Sequence, residues 1–256
     1  MNDRFSLEGR VALVTGGGTG IGRGTALVLA EHGADVVLAG RRRDPLESTA
    51  KEIDALGRRA LAVPADVSTA AGCQELVDRT VAEFGRVDIL VNSAGGAETK
   101  SIKRWTEEEF GDVFALNLGS VWNLSRAVSV HMLEQGKGAI VNISSGASLL
   151  SMPQAAPYAA AKAAVNNLTG SMAAAWAGKG IRVNAIAVGA VRAPTLTDEL
   201  ARYNLEPDSV AGSNGLGRLG EPDEIGYGVL FFASDAASFC SGQTLYMHGA
   251  PGPAGV

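Results

Sequence analysis

Apolar and polar positions alternate along this chain between two textures. Short β-branched or apolar runs recur as VALVT (Val11 to Thr15), DVVLA (Asp35 to Ala39), ALAVPA (Ala60 to Ala65), VDILVN (Val87 to Asn92), AIVNIS (Ala139 to Ser144), IRVNAIA (Ile181 to Ala187) and TLYMH (Thr244 to His248). Their short length and continuous apolar character predict strands buried on both faces. Between them lie longer stretches of helical period, such as PLESTAKEIDALG and AAGCQELVDRTVAEFG, which Gly57 and Gly85 close as C-terminal caps. Strand and helix alternate seven times. That order predicts an α/β fold, a doubly wound, seven-stranded, mostly parallel sheet with helices on both faces, because right-handed crossovers place a helix over each pair of strands. No repeat, low-complexity linker or interior charge block marks a boundary, so residues 1–256 read as a single domain with a loose tail, GAPGPAGV.

Composition narrows the function. With 46% hydrophobic and 19% charged residues the chain has the apolar content for a packed core. A net charge of -5 gives no basic surface to draw nucleic acid or an anionic membrane, so a small molecule is the expected partner. No apolar run approaches the roughly 18 residues of a membrane span, and MNDRFSLEGR carries charges where a signal peptide would be apolar. A soluble cytoplasmic protein is expected. Cys73 and Cys240 are far apart, and His32, His131 and His248 are scattered, so the spacing suggests packed reduced thiols and no metal site.

The stretch VTGGGTGIG, Val14 to Gly22, places five glycines in nine residues between the first strand and a helix-forming run. In a doubly wound sheet this turn is where a pyrophosphate meets a helix N-terminus, and glycine lets its oxygens approach the backbone. The usual GxGxxG spacing is absent. Gly16-x-x-x-Gly20-x-Gly22, preceded by Thr15, stands instead. The second strand ends in Gly40 followed by Arg41, Arg42 and Arg43. No carboxylate at this tip repels a 2′-phosphate, and a guanidinium is at hand to pair with one, which favours NADP(H) over NAD(H); the competing reading is a solvated arginine cluster.

Tyr158 and Lys162 stand four apart on a predicted helix with Pro157 in its first turn, so both project from one face. A lysine ammonium beside a phenol stabilises the phenolate and brings a pKa near 10 toward working pH. The pattern YxxxK is common by chance on amphipathic helices, so the rest of the chain has to decide.

TGGGTGIG, NSAG (Asn92 to Gly95), the pair Ser144 and Ser145, and YAAAK (Tyr158 to Lys162) together resemble the short-chain dehydrogenase/reductase family, over about Leu7 to Gly249. The resemblance implies a Rossmann-type fold with Gly16, Thr19, Gly20, Ile21 and Gly22 at the dinucleotide pyrophosphate. It implies Arg41 and Arg42 at the 2′-phosphate, Asp66 and Val67 at the adenine, and Asn92, Ala94 and Gly95 along the adenosine side. Gly189 and Val191 belong to the nicotinamide end. Asn117, on a predicted long helix, matches the asparagine that holds a water between the lysine and solvent. Ser145 matches the serine that binds the substrate oxygen, Tyr158 the acid/base, and Lys162 the residue that also bonds the nicotinamide ribose. For Asp66 the local alternative is an N-cap, a job Ser68 would share.

Four places depart from the family pattern, one of them HGAPG from His248, where relatives end the last strand with Asp-Gly-Gly. Ser93 replaces a more usual asparagine, Val188 replaces a proline, and Ala193 stands where a threonine contacts the cofactor, with Thr195 as a possible substitute. Residues 193–216 read as a variable substrate lid, in which Leu196, Leu200, Tyr203 and Leu205 hint at an apolar pocket. The loop pattern is nearest to hydroxysteroid dehydrogenases and 3-oxoacyl reductases. The alanine-rich helix from Ala155 to Ala177 and the one before it imply a homo-oligomer, a dimer or tetramer. The expected activity is NADP(H)-dependent interconversion of a ketone or aldehyde and its alcohol. An enoyl-thioester reductase and a non-catalytic NADP-binding protein are the alternatives.

Overall fold

The structure, a computed structural model, describes residues 3–96, 98–202, 204, 206, 210–211 and 214–250, without the side chains of Thr195, Glu199 and Arg202. Seven strands, β1 (Val11–Thr15), β2 (Asp35–Gly40), β3 (Ala60–Pro64), β4 (Ile89–Asn92), β5 (Gly138–Ser145), β6 (Ile181–Val188) and β7 (Thr244–Met247), form one sheet in the order β3-β2-β1-β4-β5-β6-β7. Every pairing is parallel. The strand order reverses between β1 and β4, the switch point at which doubly wound sheets open a crevice beyond their carboxyl ends.

The helices are α1 (Gly20–Glu31), α2 (Arg43–Ala55), α3 (Ala70–Phe84), α4 (Glu107–Phe114), α5 (Ser120–Gln135), α6 (Ala156–Trp176), α7 (Pro194–Arg202) and α8 (Pro222–Ala233). Alternate residues of each strand feed opposite faces. Ala12 and Val14 of β1 join Val28 and Leu29 of α1, Leu46 and Ile53 of α2, and Ile225 and Val229 of α8. Val11 and Leu13 join Leu76 and Val77 of α3, Leu124 and Val128 of α5, and Met172 of α6. The central strands are thereby buried from both sides, which is why they read as unbroken apolar runs; the edge strands β3 and β7 are only partly covered, against expectation, with Leu245 and Tyr246 of β7 exposed at the end of the sheet.

Three expectations are corrected in detail. Strand four begins at Ile89 instead of Val87; just before it the Asp88 carboxylate accepts from Val11 N at 2.9 Å and holds Arg86. The third strand ends at Pro64, so Asp66 lies two residues past it. Neither Asp66 nor Ser68 caps the following helix: Thr69 does, its Oγ1 accepting from Gly72 N at 3.1 Å. Asn117 does lie within one uninterrupted helical run from Glu107 to Gln135, but at a π-turn over Ala115–Gly119 that joins α4 to α5. Within the lid, α7 occupies 194–202, while Tyr203 and Leu205 and the side chain of Thr195 lie outside the described residues. Among the described residues no helix is long and apolar enough to cross a membrane.

Candidate active site

A cleft of about 380 Å³ opens beyond the carboxyl ends of β1, β4, β5 and β6, and it gathers Gly16, Thr19, Gly20, Ile21, Gly22, Ser145, Tyr158, Lys162, Gly189 and Val191. The sequence distributes these residues over most of the chain. The parallel order of the sheet brings them to one edge.

The glycine turn is bare for steric reasons. Gly16 has φ +68°, and a β-carbon there would sit 3.3 Å from Ala94 N and Ser93 O. A β-carbon on Gly22 would fall 2.2 Å from Gly16 O, so the first turn of α1 folds flat against its own entry loop. Thr19, the N-cap of α1, makes no side-chain capping bond. The helix therefore presents its first N–H groups and positive dipole end to the cleft, an arrangement that fits a pyrophosphate.

Thr15 joins this turn to the opposite wall. Its Oγ1 donates to Val91 O at 3.3 Å and accepts from Ser93 N at 2.9 Å and Ala94 N at 3.0 Å. This clamp at the switch point was not recognised in the sequence, where a threonine ahead of a glycine turn carries no distinguishing signal. Ala94 and Gly95 line the cleft, but Asn92 is 3% exposed and lies behind it. Its Nδ2 donates to Asn142 Oδ1 at 2.8 Å, and Asn142 Nδ2 donates to Thr169 Oγ1 at 2.9 Å. A buried polar rib thus ties β4 to β5 and α6; of its members only Asn92 was singled out beforehand.

At the far end of the crevice, Arg41 and Arg42 are exposed beyond β2, while Arg43 pairs with Glu47. Asp66 faces the same region. Its carboxyl is held below the usual range first by the Ser68 hydroxyl, then by the Ser68 N–H, with a further contribution from the Arg41 charge. Both Ser68 bonds end on Oδ1, at 2.7 and 3.0 Å, which leaves Oδ2 for another donor. Val67 is buried in the core beside it.

On the other wall, Ser145 is the last residue of β5, and its Oγ accepts from Ala147 N at 3.2 Å, so the hydroxyl hydrogen is left to donate elsewhere. Tyr158 lies in the first turn of α6, where Pro157 suits the helix start. One turn on, Lys162 is 4% exposed; its Nζ donates to Ile143 O at 2.9 Å and lies 5.6 Å from the Tyr158 ring centroid. Burial pushes the Lys162 ammonium down to about 8. Asn117 donates from Nδ2 to Gly96 O at 2.8 Å and Val113 O at 2.9 Å, and its Oδ1 accepts from Gly96 N at 3.0 Å. A β-carbon on Gly95 would lie 2.7 Å from Asn117 Oδ1 and 3.1 Å from Lys162 Nζ, so the two side chains flank that glycine. The π-turn is the local distortion that delivers Asn117 to this point.

At the nicotinamide end, Val191 pairs with Gly220. The bridge uses Ala190 O and Arg192 N at 3.0 and 2.8 Å, leaving the N–H and C=O of Val191 itself outside the ladder. Ala193 packs its methyl against Gly20, where a β-carbon would approach to 3.0 Å.

A doubly wound parallel sheet with an uncapped glycine-turn helix at its switch point, facing a Ser, Tyr and Lys set, defines a dinucleotide-dependent oxidoreductase. The family model for short chain dehydrogenases matches residues 10–204, and the chain belongs to that family, whose members act on CH–OH and carbonyl groups. It is 39% identical over 246 residues to 2-dehydro-3-deoxy-D-gluconate 5-dehydrogenase of Escherichia coli K12, covering 96% of each chain. A 3-oxoacyl (acyl-carrier-protein) reductase structure from Agrobacterium tumefaciens C58 with NADP bound superposes with a TM-score of 0.90, 33% identity and 96% of each chain covered. A 7α-hydroxysteroid dehydrogenase structure with NADH and 7-oxo glycochenodeoxycholic acid superposes with a TM-score of 0.91, 34% identity and 98% of each chain covered.

Proposed function

We propose that this protein reduces a ketone or aldehyde to its alcohol with NADPH, reversibly, with Tyr158 as the acid/base. The observation that carries the reading is the convergence of Ser145, Tyr158 and buried Lys162 on one cleft with the glycine turn. A bound nicotinamide supplies the hydride. The chain supplies the polar half of the reaction. Ser145, with its acceptor engaged by Ala147 N–H, donates to the carbonyl oxygen. Tyr158 gives that oxygen a proton, and the Lys162 ammonium stabilises the phenolate left behind. Asn117 fixes Gly95 and Gly96 beside Lys162, the place where a bridging water would connect the lysine to solvent.

NADP fits the residues at the far end better than NAD. Gly40 offers no carboxylate at the β2 tip, and Arg41 and Arg42 project into solvent where a 2′-phosphate would lie. Asp66 Oδ2 is the acceptor for an adenine amino group, and Val191 offers its backbone to a carboxamide. The relatives support both dinucleotides, since one neighbour holds NADP and another NADH. The exposed Arg41 and Arg42 of this chain are what favour the phosphate.

The reading is tested by following NADPH oxidation across ketones, aldehydes, quinones, 3-oxoacyl thioesters and oxosteroids, with Tyr158→Phe alongside. Full turnover retained in the variant contradicts it. The pH profile gives a separate test. Because Lys162 loses its proton near 8, kcat/KM for reduction is expected to fall above pH about 8. Lys162→Arg keeps its charge at that pH and should move the alkaline limb upward, whatever its absolute rate.

We also propose that the chain self-associates. Trp122 and Val130 of α5 are 49% and 55% exposed on one of the two helices singled out for an interface. Light scattering is expected to return a multiple of the 26.2 kDa chain mass; a monomer at micromolar concentration contradicts the proposal.

A further inference from the structure

The cleft beside Ser145 and Tyr158 is walled by three segments. Gly96 and Thr99 come from the loop after β4, Met152 and Ala155 from the strap between Ser145 and Tyr158, and Leu196 from α7. The first two are joined by Lys100 N, which donates to Gln154 O at 2.8 Å, and the strap is braced internally by Ala155 N donating to Met152 O at 3.1 Å. The strap is steadied from behind by Asn166, whose Nδ2 donates to Ser148 Oγ at 2.9 Å.

Lys162 is the one charged side chain lining this cleft among the described residues, and burial beside Tyr158 commits it there. Of the described cations near it, Lys100 and Arg192 are engaged elsewhere, the side chain of Arg202 lying outside the described residues. Lys100 pairs with Glu109 and lies 4.5 Å from the Trp105 ring centroid, and Arg192 pairs with Glu221 at 3.1 Å. A substrate carboxylate seated against Met152, Ala155 and Leu196 would lose water without gaining a partner. Among these wall residues Thr99 alone offers a polar side chain, too little to satisfy the hydroxyls of a polyol. The same strap also carries Leu149 and Leu150, each 65% exposed, so its apolar surface continues past the lining residues.

The geometry points to a neutral, apolar ketone as the substrate class, selected by Met152, Ala155 and Leu196. This inference rests on the carbonyl reductase reading and narrows it. It sets this protein apart from an enzyme built for keto acids or sugar acids, whose carboxylate would need a charged or hydrogen-bonding partner in this wall.

The test compares two para-substituted cyclohexanones, one bearing tert-butyl and one bearing carboxylate, in NADPH oxidation by the full chain. The tert-butyl ketone is expected to have a kcat/KM about 30-fold higher, with the difference in KM. Met152→Lys, at an exposed strap position, is expected to raise kcat/KM for the carboxylate about tenfold and lower it for the tert-butyl ketone. Saturation-transfer NMR on the enzyme–NADP⁺ complex gives the same comparison without turnover, the tert-butyl ketone being the ligand seen. Equal or better use of the carboxylate overturns the inference and leaves the proposed reaction standing. If neither ketone turns over while NADPH binds tightly, the proposed reaction falls, and the NMR contrast alone then upholds or overturns the apolar selectivity.

Discussion

Replacing Tyr158 with phenylalanine is expected to lower kcat/KM for carbonyl reduction by about 10³-fold, while the NADPH dissociation constant stays within about threefold of the native value. The substitution removes one oxygen and keeps the ring. Tyr158 is half-buried in the first turn of α6, next to buried Pro157, so the helix start and its packing persist. The proton source for the substrate oxygen is what is lost. Ser145 remains to polarise the carbonyl, and the glycine turn remains to bind the dinucleotide, which is why some rate survives. A second expectation separates acid/base chemistry from a packing defect. Lys162 works through the Tyr158 oxygen, so adding Lys162→Met to Tyr158→Phe should cost far less than it does in the native background. Initial-rate kinetics of the four proteins, with NADPH fluorescence titrations alongside, decide the matter. Additive losses would mean that the lysine acts independently of the tyrosine.

The fold was legible because both signals it depends on are local. Unbroken runs such as VALVT and IRVNAIA mark strands covered on both sides, and glycines such as Gly85, the left-handed cap of α3, mark helix ends. The cleft residues were legible for different reasons: the crowded glycines answer to the close packing of the turn against α1 and the loop after β4, whereas YxxxK and the Ser145 position are a chemical pattern that packing alone does not impose. What escaped was long-range or geometric. Thr15 holds β1 to the loop after β4 through three bonds that depend on the strand order. The Asn92, Asn142 and Thr169 rib spans residues far apart in sequence and exists only once β4, β5 and α6 are adjacent. The π-turn at Asn117 breaks a helical period that the sequence continues without interruption, because ALNLG contains no proline or β-branched residue to announce it. The N-cap of α3, offered as the local alternative for Asp66 with Ser68, belongs to Thr69, while the Asp66 Oδ1 is taken up by Ser68.

Arg41→Ala is expected to weaken NADPH binding by about 100-fold while changing NADH affinity less than about threefold. The argument begins with what is missing at the tip of β2. In dinucleotide folds an acidic residue here accepts from the adenosine ribose and repels a 2′-phosphate. Gly40 supplies neither effect, and its carbonyl accepts from Ala65 N at 2.9 Å. Arg41 follows directly and is exposed. Its charge reaches Asp66, which it helps keep ionised, so the guanidinium already sits on the adenine side of the crevice. Pairing with Asp66 is a weak, solvent-screened interaction, whereas a phosphate offers bidentate geometry and a larger charge. Arg42 opens α2 as its N-cap and stands next in line, so Arg41→Ala/Arg42→Ala should shift preference further toward NADH than either change alone. Fluorescence titration of both dinucleotides into the three proteins measures this directly, and a salt series adds a control, because loss of a phosphate contact flattens the dependence of NADPH affinity on ionic strength. Equal loss for NADPH and NADH in Arg41→Ala would reduce the arginine cluster to surface charge and move the phosphate preference to some other part of the chain.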